Sequence, residues 1–269
     1  MYRAFYGLKC DPFDKGVEMS RIYESTDFKE FSSRMEYFRR VKGFALALGQ
    51  PGSGKTTSAR AFVSRLNPQL YRIVYLPLAS LTVVDFYRHL AVGFGLVPRY
   101  RKVDLFHQIQ EFIVNCHHQK NITPFVVIDE AQFLPNEVLH DLRMLFNFHM
   151  DSCNYAMVLL LAQTHFAAHL NLHIHEALRQ RIVVHYEFTG LTKSEVEQYI
   201  SSLLSSAGAQ GPIFTQDALE AIAASSQGLP RKVNLIAEKA LILGASLKAQ
   251  AIDSEVIQKV QQDLAPLEP

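Results

Sequence analysis

The sequence predicts an α/β fold, a parallel sheet covered by helices, followed by a small domain made of helices alone. Three observations carry this. Short apolar runs alternate with amphipathic segments up to residue 188; a glycine-rich turn, "GQPGSGKTT", links the first of these runs to a segment of helical spacing; and beyond "FTGL" only the helical periodicity continues.

In chain order, "FALAL" (44–48), "RIVYLPL" (72–78), "PFVVIDE" (124–130), "AMVLLLA" (156–162) and "RIVVHYEF" (181–188) read as strands, because brief apolar runs suit strands buried on both faces. Between them, "DLFHQIQEFIV" sets Leu105, Ile109, Phe112 and Ile113 on one helical face, and "NEVLHDLRMLFNF" does the same with Val138, Leu142 and Leu145. Thr192 and Glu195 form a capping-box pattern ahead of Val196, Tyr199, Ile200, Leu203 and Leu204. Such a cap is worth about 1 kcal/mol. Further helices are expected to begin near Thr215, Pro230 and Asp253, and the "APLEP" tail is expected to fray. The boundary is therefore set near Gly190, with residues 1–190 as the α/β core plus an N-terminal extension and residues 191–269 as the helical domain.

At 269 residues and 48% hydrophobic, the chain has enough apolar material for a full core. Cys10, Cys116 and Cys153 lie far apart without metal or redox spacing, so they are expected as reduced thiols. "MYRAFYGLKCDPF" has none of the parts of a secretion signal, and the longest apolar run is far too short for a bilayer. The expectation is a soluble cytoplasmic protein without a membrane span. The net charge of +1 excludes a uniformly basic nucleic-acid coat. From Thr192 onward six Lys/Arg face nine Asp/Glu, which leaves +4 on residues 1–191, the part where an anionic polymer could dock.

Gly49, Gln50, Pro51, Gly52, Ser53, Gly54, Lys55 and Thr56 fit G-x-x-x-x-G-K-[ST] without exception, and Thr57 continues into the helix. Glycines let backbone N–H groups curl around a β-phosphate, Lys55 offers a cation to the β/γ-oxygens, and the Thr56 hydroxyl can ligate Mg²⁺. The helix that starts there adds the positive end of its dipole. The chain is thus expected to bind ATP with Mg²⁺. Hydrolysis needs more, and "FVVIDEAQ" supplies it: Asp129 puts a carboxylate beside the Mg²⁺ site, and Glu130 can orient and deprotonate an attacking water.

P-loop, Asp-Glu pair and helical tail together resemble the AAA+ ATPases. The resemblance implies a three-layer core with a helical lid, a sensor-one residue at Gln163 or Thr164 reading the γ-phosphate, and a sensor-two arginine in "GLPRKVN", Arg231. It also implies an arginine finger reaching a neighbouring subunit's nucleotide; "ALRQRI" offers Arg179 and Arg181, of which Arg181 is preferred because family members end this motif in "QRI" or a similar string. A guanidinium suits developing phosphoryl charge, while ordinary helix-face salt bridges are the plainer reading of each arginine.

"FYGLKCDPF", "YES" and "RMEYFRRVKGF" are similar to the ExeA-like group and to transposon-encoded ATPases of the TniB, TnsC, IstB and MuB kind. That likeness implies a homo-oligomer, ring or helical filament, that loads on double-stranded DNA and recruits or activates a transposase. ExeA-type proteins carry a membrane span and a wall-binding domain after the ATPase; with the sequence ending at Pro269, the expectation leans to transposition, with a secretion ATPase or a protein-only switch as alternatives. "PRYRK" gathers Arg99, Arg101 and Lys102 around Tyr100, where family members face a central channel, so these three are the candidate phosphate contacts; a solvated loop is the competing reading. "FRRVK", Arg39 to Lys42, is a second candidate. His165, His169 and His173 recur every four residues, as on one helix face, with His175 after them; lacking a fourth ligand nearby, they read as a surface or interface face rather than a zinc site. "DEAQ" also matches a helicase motif, but a helical tail cannot be a second α/β lobe.

Overall fold

The structure, a computed structural model, describes residues 2–14, 22–77, 82–148 and 152–264. Five strands form one sheet: β1 (Gly43–Gly49), β2 (Tyr71–Pro77), β3 (Thr123–Asp129), β4 (Met157–Ala162) and β5 (Ile182–Phe188), in the order β2-β3-β4-β1-β5 and parallel throughout. All five expected strands are present. The expected strand end at Leu78 and the "APLEP" tail lie outside the described residues. β3 stops at Asp129, one residue earlier than expected, because Glu130 takes φ 54°, a left-handed conformation no strand can continue.

Among the described residues, twelve α-helices accompany the strands: α1 (Tyr2–Phe5), α2 (Thr26–Val41), α3 (Lys55–Arg65), α4 (Val83–Gly93), α5 (Lys102–Lys120), α6 (Asn136–Leu145), α7 (Phe166–Leu170), α8 (Glu176–Arg179), α9 (Lys193–Ser206), α10 (Gln216–Ser226), α11 (Pro230–Ser246) and α12 (Ser254–Leu264). The chain divides into two compact units, one of Met1–Lys29, Gly52–Gly54 and Thr189–Pro269, the other of Glu30–Pro51 and Lys55–Phe188. On the C-terminal side this division falls between Phe188 and Thr189. On the N-terminal side the first residues go with the helical unit rather than with the sheet.

The sheet unit is built by strict alternation along its three central strands. Phe44, Leu46 and Leu48 of β1 enter one core cluster, together with Val126 and Ile128 of β3 and the α5 and α6 residues Leu105, Ile109, Val138 and Leu142. Ala45 and Ala47 enter the opposite cluster, with Phe125 and Val127 of β3 and with Phe31, Met35 and Phe38 of α2 and Phe62 of α3. Every residue of β1 and β4 is buried, which is what covering both faces requires. The alanines leave room for Phe125, whose ring sits 6.4 Å from Phe38 and 6.1 Å from Phe62 in edge contacts. The outer strands β2 and β5 alternate in burial, as edge strands with one open side do.

In the helical unit the expected starts hold. The Glu195 N–H donates to Thr192 Oγ1 and the Thr192 N–H to Glu195 Oε2, closing the capping box of α9. Thr215 caps α10, Pro230 opens α11, and Asp253 accepts from the Val256 N–H at the start of α12. Leu8 and Phe13 pack in the same core as Val196, Ile200 and Leu241, and the Tyr6 hydroxyl donates to the Ala249 carbonyl. Asp27 accepts the N–H groups of Thr189 and Gly190, each at 2.9 Å. These contacts are why the N-terminal residues join the helical unit.

Candidate nucleotide site

A loop that wraps a phosphate needs backbone N–H groups pointing inward, and positive φ at selected residues provides that. Gly52 and Gly54, just after β1, have φ of 82° and 98°. Glycine is needed at both, and at Gly52 a Cβ would also lie 2.6 Å from Arg231 Cβ. The Arg231 N–H, at the second residue of α11, donates to the Gly52 carbonyl at 3.3 Å.

Lys55 opens α3. Its Nζ turns back on the loop and donates to the Gly49 carbonyl at 2.7 Å and the Gln50 carbonyl at 2.9 Å. The residue is 8% exposed. A cation held by two carbonyls at a helix N-terminus, with glycines on the approach, is a site for an anion. The Ser53 hydroxyl, buried in the same loop without a hydrogen-bond partner, has the capacity a phosphate oxygen would satisfy.

The end of β3 supplies the acid pair. Asp129, 7% exposed, accepts from the Thr56 hydroxyl at 3.0 Å and the Tyr75 hydroxyl at 2.8 Å, both on Oδ2, and from the Glu130 N–H at 2.9 Å on Oδ1. Thr56 and Asp129, 73 residues apart in sequence, are thus in direct contact, as a shared Mg²⁺ site requires. The Tyr75 hydroxyl is pushed up to about 12, first by burial, then by its hydrogen bond to Asp129 and by the charges of Asp129 and Glu130. Burial is the main cause of that rise; the smaller part owed to Asp129 and Glu130 reflects negative charge gathered where a divalent cation would neutralise it. The donor set therefore fits Mg²⁺ held by Thr56 and Asp129.

Beyond the strand, Glu130 stands exposed at the head of a 3-10 turn, Ala131–Phe133, and accepts from Gln132 Nε2 at 2.6 Å. The other end of that amide, Oε1, accepts the N–H of Gln163 at 3.1 Å, directly after β4. Sequence reading placed Glu130 and Gln163 in the site; it missed Gln132 and Tyr75. Gln132 is visible in "DEAQ" only as the neighbour of the acids, and Tyr75 is found only once β2 is set in register on β3, with Pro77 opposite Asp129.

The two candidate finger arginines are both held within their own chain. Arg181 Nη1 donates to the Arg143 carbonyl at 2.7 Å, and Arg179 Nη1 donates to Asn171 Oδ1 at 3.0 Å.

In the basic loop, Arg99 and Arg101 are exposed, as is Tyr100 at 86%. Lys102 differs from the expectation. As the first residue of α5 it reaches Asp141 of α6 in a 2.5 Å ion pair beside the Tyr87 ring, so its charge is already answered. Within "FRRVK", Arg39 pairs with Glu36, and burial lowers the Lys42 ammonium from its ordinary range.

The histidine ladder is also corrected. α7 ends at Leu170 and a 3-10 turn occupies His173–His175, so the four-residue spacing does not run along one helix. Instead His169 and His175 meet at Asn136 Oδ1, at 2.8 and 3.0 Å, and burial together with His169 lowers the His175 imidazole. Among the described residues no group of three or more His, Cys, Asp or Glu side chains could hold a metal ion, and no helix is long and apolar enough to cross a membrane.

Residues 39–170 match the family described as an AAA domain. The chain is 32% identical over 247 residues to the general secretion pathway protein A of Aeromonas hydrophila, covering 90% of this chain and 44% of that protein. It is 30% identical over 130 residues to the ATP-dependent target DNA activator B of Escherichia phage Mu, covering 48% of this chain and 39% of that protein. The chain thus spans less than half the length of either relative. Among solved structures, Cdc6p of Pyrobaculum aerophilum superposes with a TM-score of 0.72 at 14% identity, over 94% of this chain and 70% of the other. The parallel five-stranded sheet, the P-loop after β1, the acid pair at the end of β3 and the superposition on Cdc6p give the chain a P-loop α/β fold of the AAA+ type, and residues 39–170 are similar to the AAA domain family.

Proposed function

We propose that this chain is an ATP-hydrolysing switch that works as a homo-oligomer, a ring or a helical filament, in the cytoplasm. The 3.0 Å contact between Thr56 and Asp129 carries the reading, since it joins the phosphate loop to the acid pair that hydrolysis needs. Lys55 would hold the β/γ-oxygens, with the loop from Gln50 to Gly54 and Thr57 around the phosphates; Glu130 would orient and deprotonate the attacking water. Mg²⁺, held by Thr56 and Asp129, would supply charge neutralisation between the phosphates. Gln163 and Arg231 are assigned to reading the γ-phosphate, and Arg181 to the nucleotide of a neighbouring subunit.

Two readings of the switch's target each have an observation behind them. The secretion-associated reading is favoured by likeness over 90% of the chain to a secretion pathway protein. The DNA reading, an ATPase that loads double-stranded DNA and engages a transposase, is favoured by likeness to a target DNA activator and by the exposed Arg99 and Arg101 flanking Tyr100.

Duplex DNA binding, measured with a non-hydrolysable ATP analogue across a salt series, separates them. On the DNA reading, binding depends on nucleotide and not on sequence, and Arg99→Ala with Arg101→Ala lowers the slope of log affinity against log salt by roughly 0.9 for each phosphate no longer neutralised. Lys102→Ala changes the slope little, because Asp141 already neutralises that ammonium. Absence of nucleotide-dependent DNA binding by the wild type would leave the secretion-type or protein-only switch. Failure to hydrolyse MgATP under any of these conditions would remove the proposal itself.

A further inference from the structure

The two partners of the Gln132 amide fix how it is turned. A backbone N–H can only donate, so the Gln163 N–H must meet Gln132 Oε1, which leaves Gln132 Nε2 to donate into the Glu130 carboxylate. The side chain is therefore a bridge of known polarity, from the acid after β3 to the backbone after β4. In the sheet order β2-β3-β4-β1-β5, β4 lies between β3 and β1, the strand that leads into the phosphate loop. Gln132 pulls the Glu130 carboxylate toward β4, and so toward the loop strand rather than toward the sheet edge. Glu130 needs this help. Its backbone is left-handed at φ 54° and ψ 40°, its side chain is exposed, and the carboxylate would otherwise sample many rotamers in water.

From this the geometry points to Gln132 as a positioning residue for hydrolysis: it holds Glu130 in the orientation that activates water and ties that orientation to the end of β4, where Gln163 stands. The inference rests on the proposed role of Glu130 and deepens it. Gln132 is half-buried, and its side-chain amide bonds to Glu130 and to the Gln163 N–H, so the test reads ATP affinity alongside the rate to separate a positioning role from a structural one.

The test is steady-state and single-turnover hydrolysis by the full chain, with ATP affinity measured directly, for Gln132→Met, Gln132→Glu, Glu130→Gln and the double variant Glu130→Gln with Gln132→Met. Methionine removes both ends of the bridge at similar volume. Glutamate keeps the acceptor for the Gln163 N–H but replaces the donor to Glu130 with a like charge. Removing a group that orients a reacting side chain typically costs 10- to 100-fold, so kcat should fall by about that factor in both single variants, with ATP affinity held within about twofold. In the Glu130→Gln background, Gln132→Met should cost nothing further, because the group it orients is no longer a base. A normal kcat in Gln132→Met alongside an inactive Glu130→Gln overturns this inference alone. Equal falls in ATP affinity and rate overturn it too, since they indicate a structural role. A normal rate in Glu130→Gln overturns both this inference and the assignment of Glu130.

Discussion

Replacing Lys55 by alanine separates what that side chain does for the fold from what it does for nucleotide. In the free protein its ammonium donates to the carbonyls of Gly49 and Gln50. Gln50 is exposed, so water replaces the missing donor there; Gly49 is buried and loses the Lys55 donor without water to replace it. A buried acceptor deprived of its partner costs about 1–3 kcal/mol, but removing an ammonium that is only 8% exposed returns part of its desolvation cost. The net drop in unfolding free energy without nucleotide is therefore expected to be small, about 1 kcal/mol. With nucleotide the two proteins part. Ligand at one hundred times its dissociation constant stabilises a folded protein by about 2.7 kcal/mol, and this increment should be present in the wild type and absent from Lys55→Ala. Urea unfolding of both proteins, with and without MgATP at that concentration, reads all four quantities. If Lys55→Ala keeps the MgATP-dependent increment, Lys55 is not the phosphate cation and the reading of the loop is wrong. If it is less stable by several kcal/mol without nucleotide, its role is mainly structural.

Arg181→Ala is expected to keep ATP binding and lose hydrolysis, with a little activity regained on mixing with Lys55→Ala subunits, because each would supply what the other lacks at a shared interface. Arg179→Ala giving that result while Arg181→Ala hydrolyses normally would transfer the role to Arg179. For pH dependence, burial pushes the Glu195 carboxyl up, but hydrogen bonds from Thr192 and Thr26 outweigh it and hold it below the usual carboxylate range. Its contribution to stability is thus fully present above the unfolded value, about 4.3, and is lost as pH falls through the lower folded value. Unfolding free energy measured down that range should fall less steeply in Glu195→Gln than in the wild type, and identical slopes would show that the capping-box carboxylate carries no such linkage.

What the sequence made legible is what is decided locally. A strand buried on both faces must be apolar along most of its length, so β1, β3 and β4 stand out as runs; a helix start must satisfy its own N–H groups, so Thr192, Thr215 and Asp253 mark three starts in advance. The phosphate loop is legible for the same reason, because positive φ at Gly52 and Gly54 is a local demand that only glycine meets without strain. The histidine ladder shows the limit of local reading. Four-residue spacing assumes one unbroken helix, and α7 is five residues long.

The polar partnerships that finish the site are decided by register and topology instead. Tyr75 reaches Asp129 from 54 residues away because β2 and β3 pair in parallel, Lys102 is drawn to Asp141 across two helices, and Asp27 holds the Thr189 and Gly190 amides from 162 and 163 residues away. No periodicity announces such pairs, since each partner alone looks like an ordinary polar residue on a strand, loop or helix end. The basic loop shows the consequence for function. Read as a string, "PRYRK" offers three equal cations, whereas in the folded chain Asp141 answers Lys102 and leaves Arg99 and Arg101 exposed with Tyr100 between them. A count of positive charges therefore overstates the phosphate contacts this loop can make, and the salt slope of DNA binding, which counts only charges that displace counterions, measures the difference.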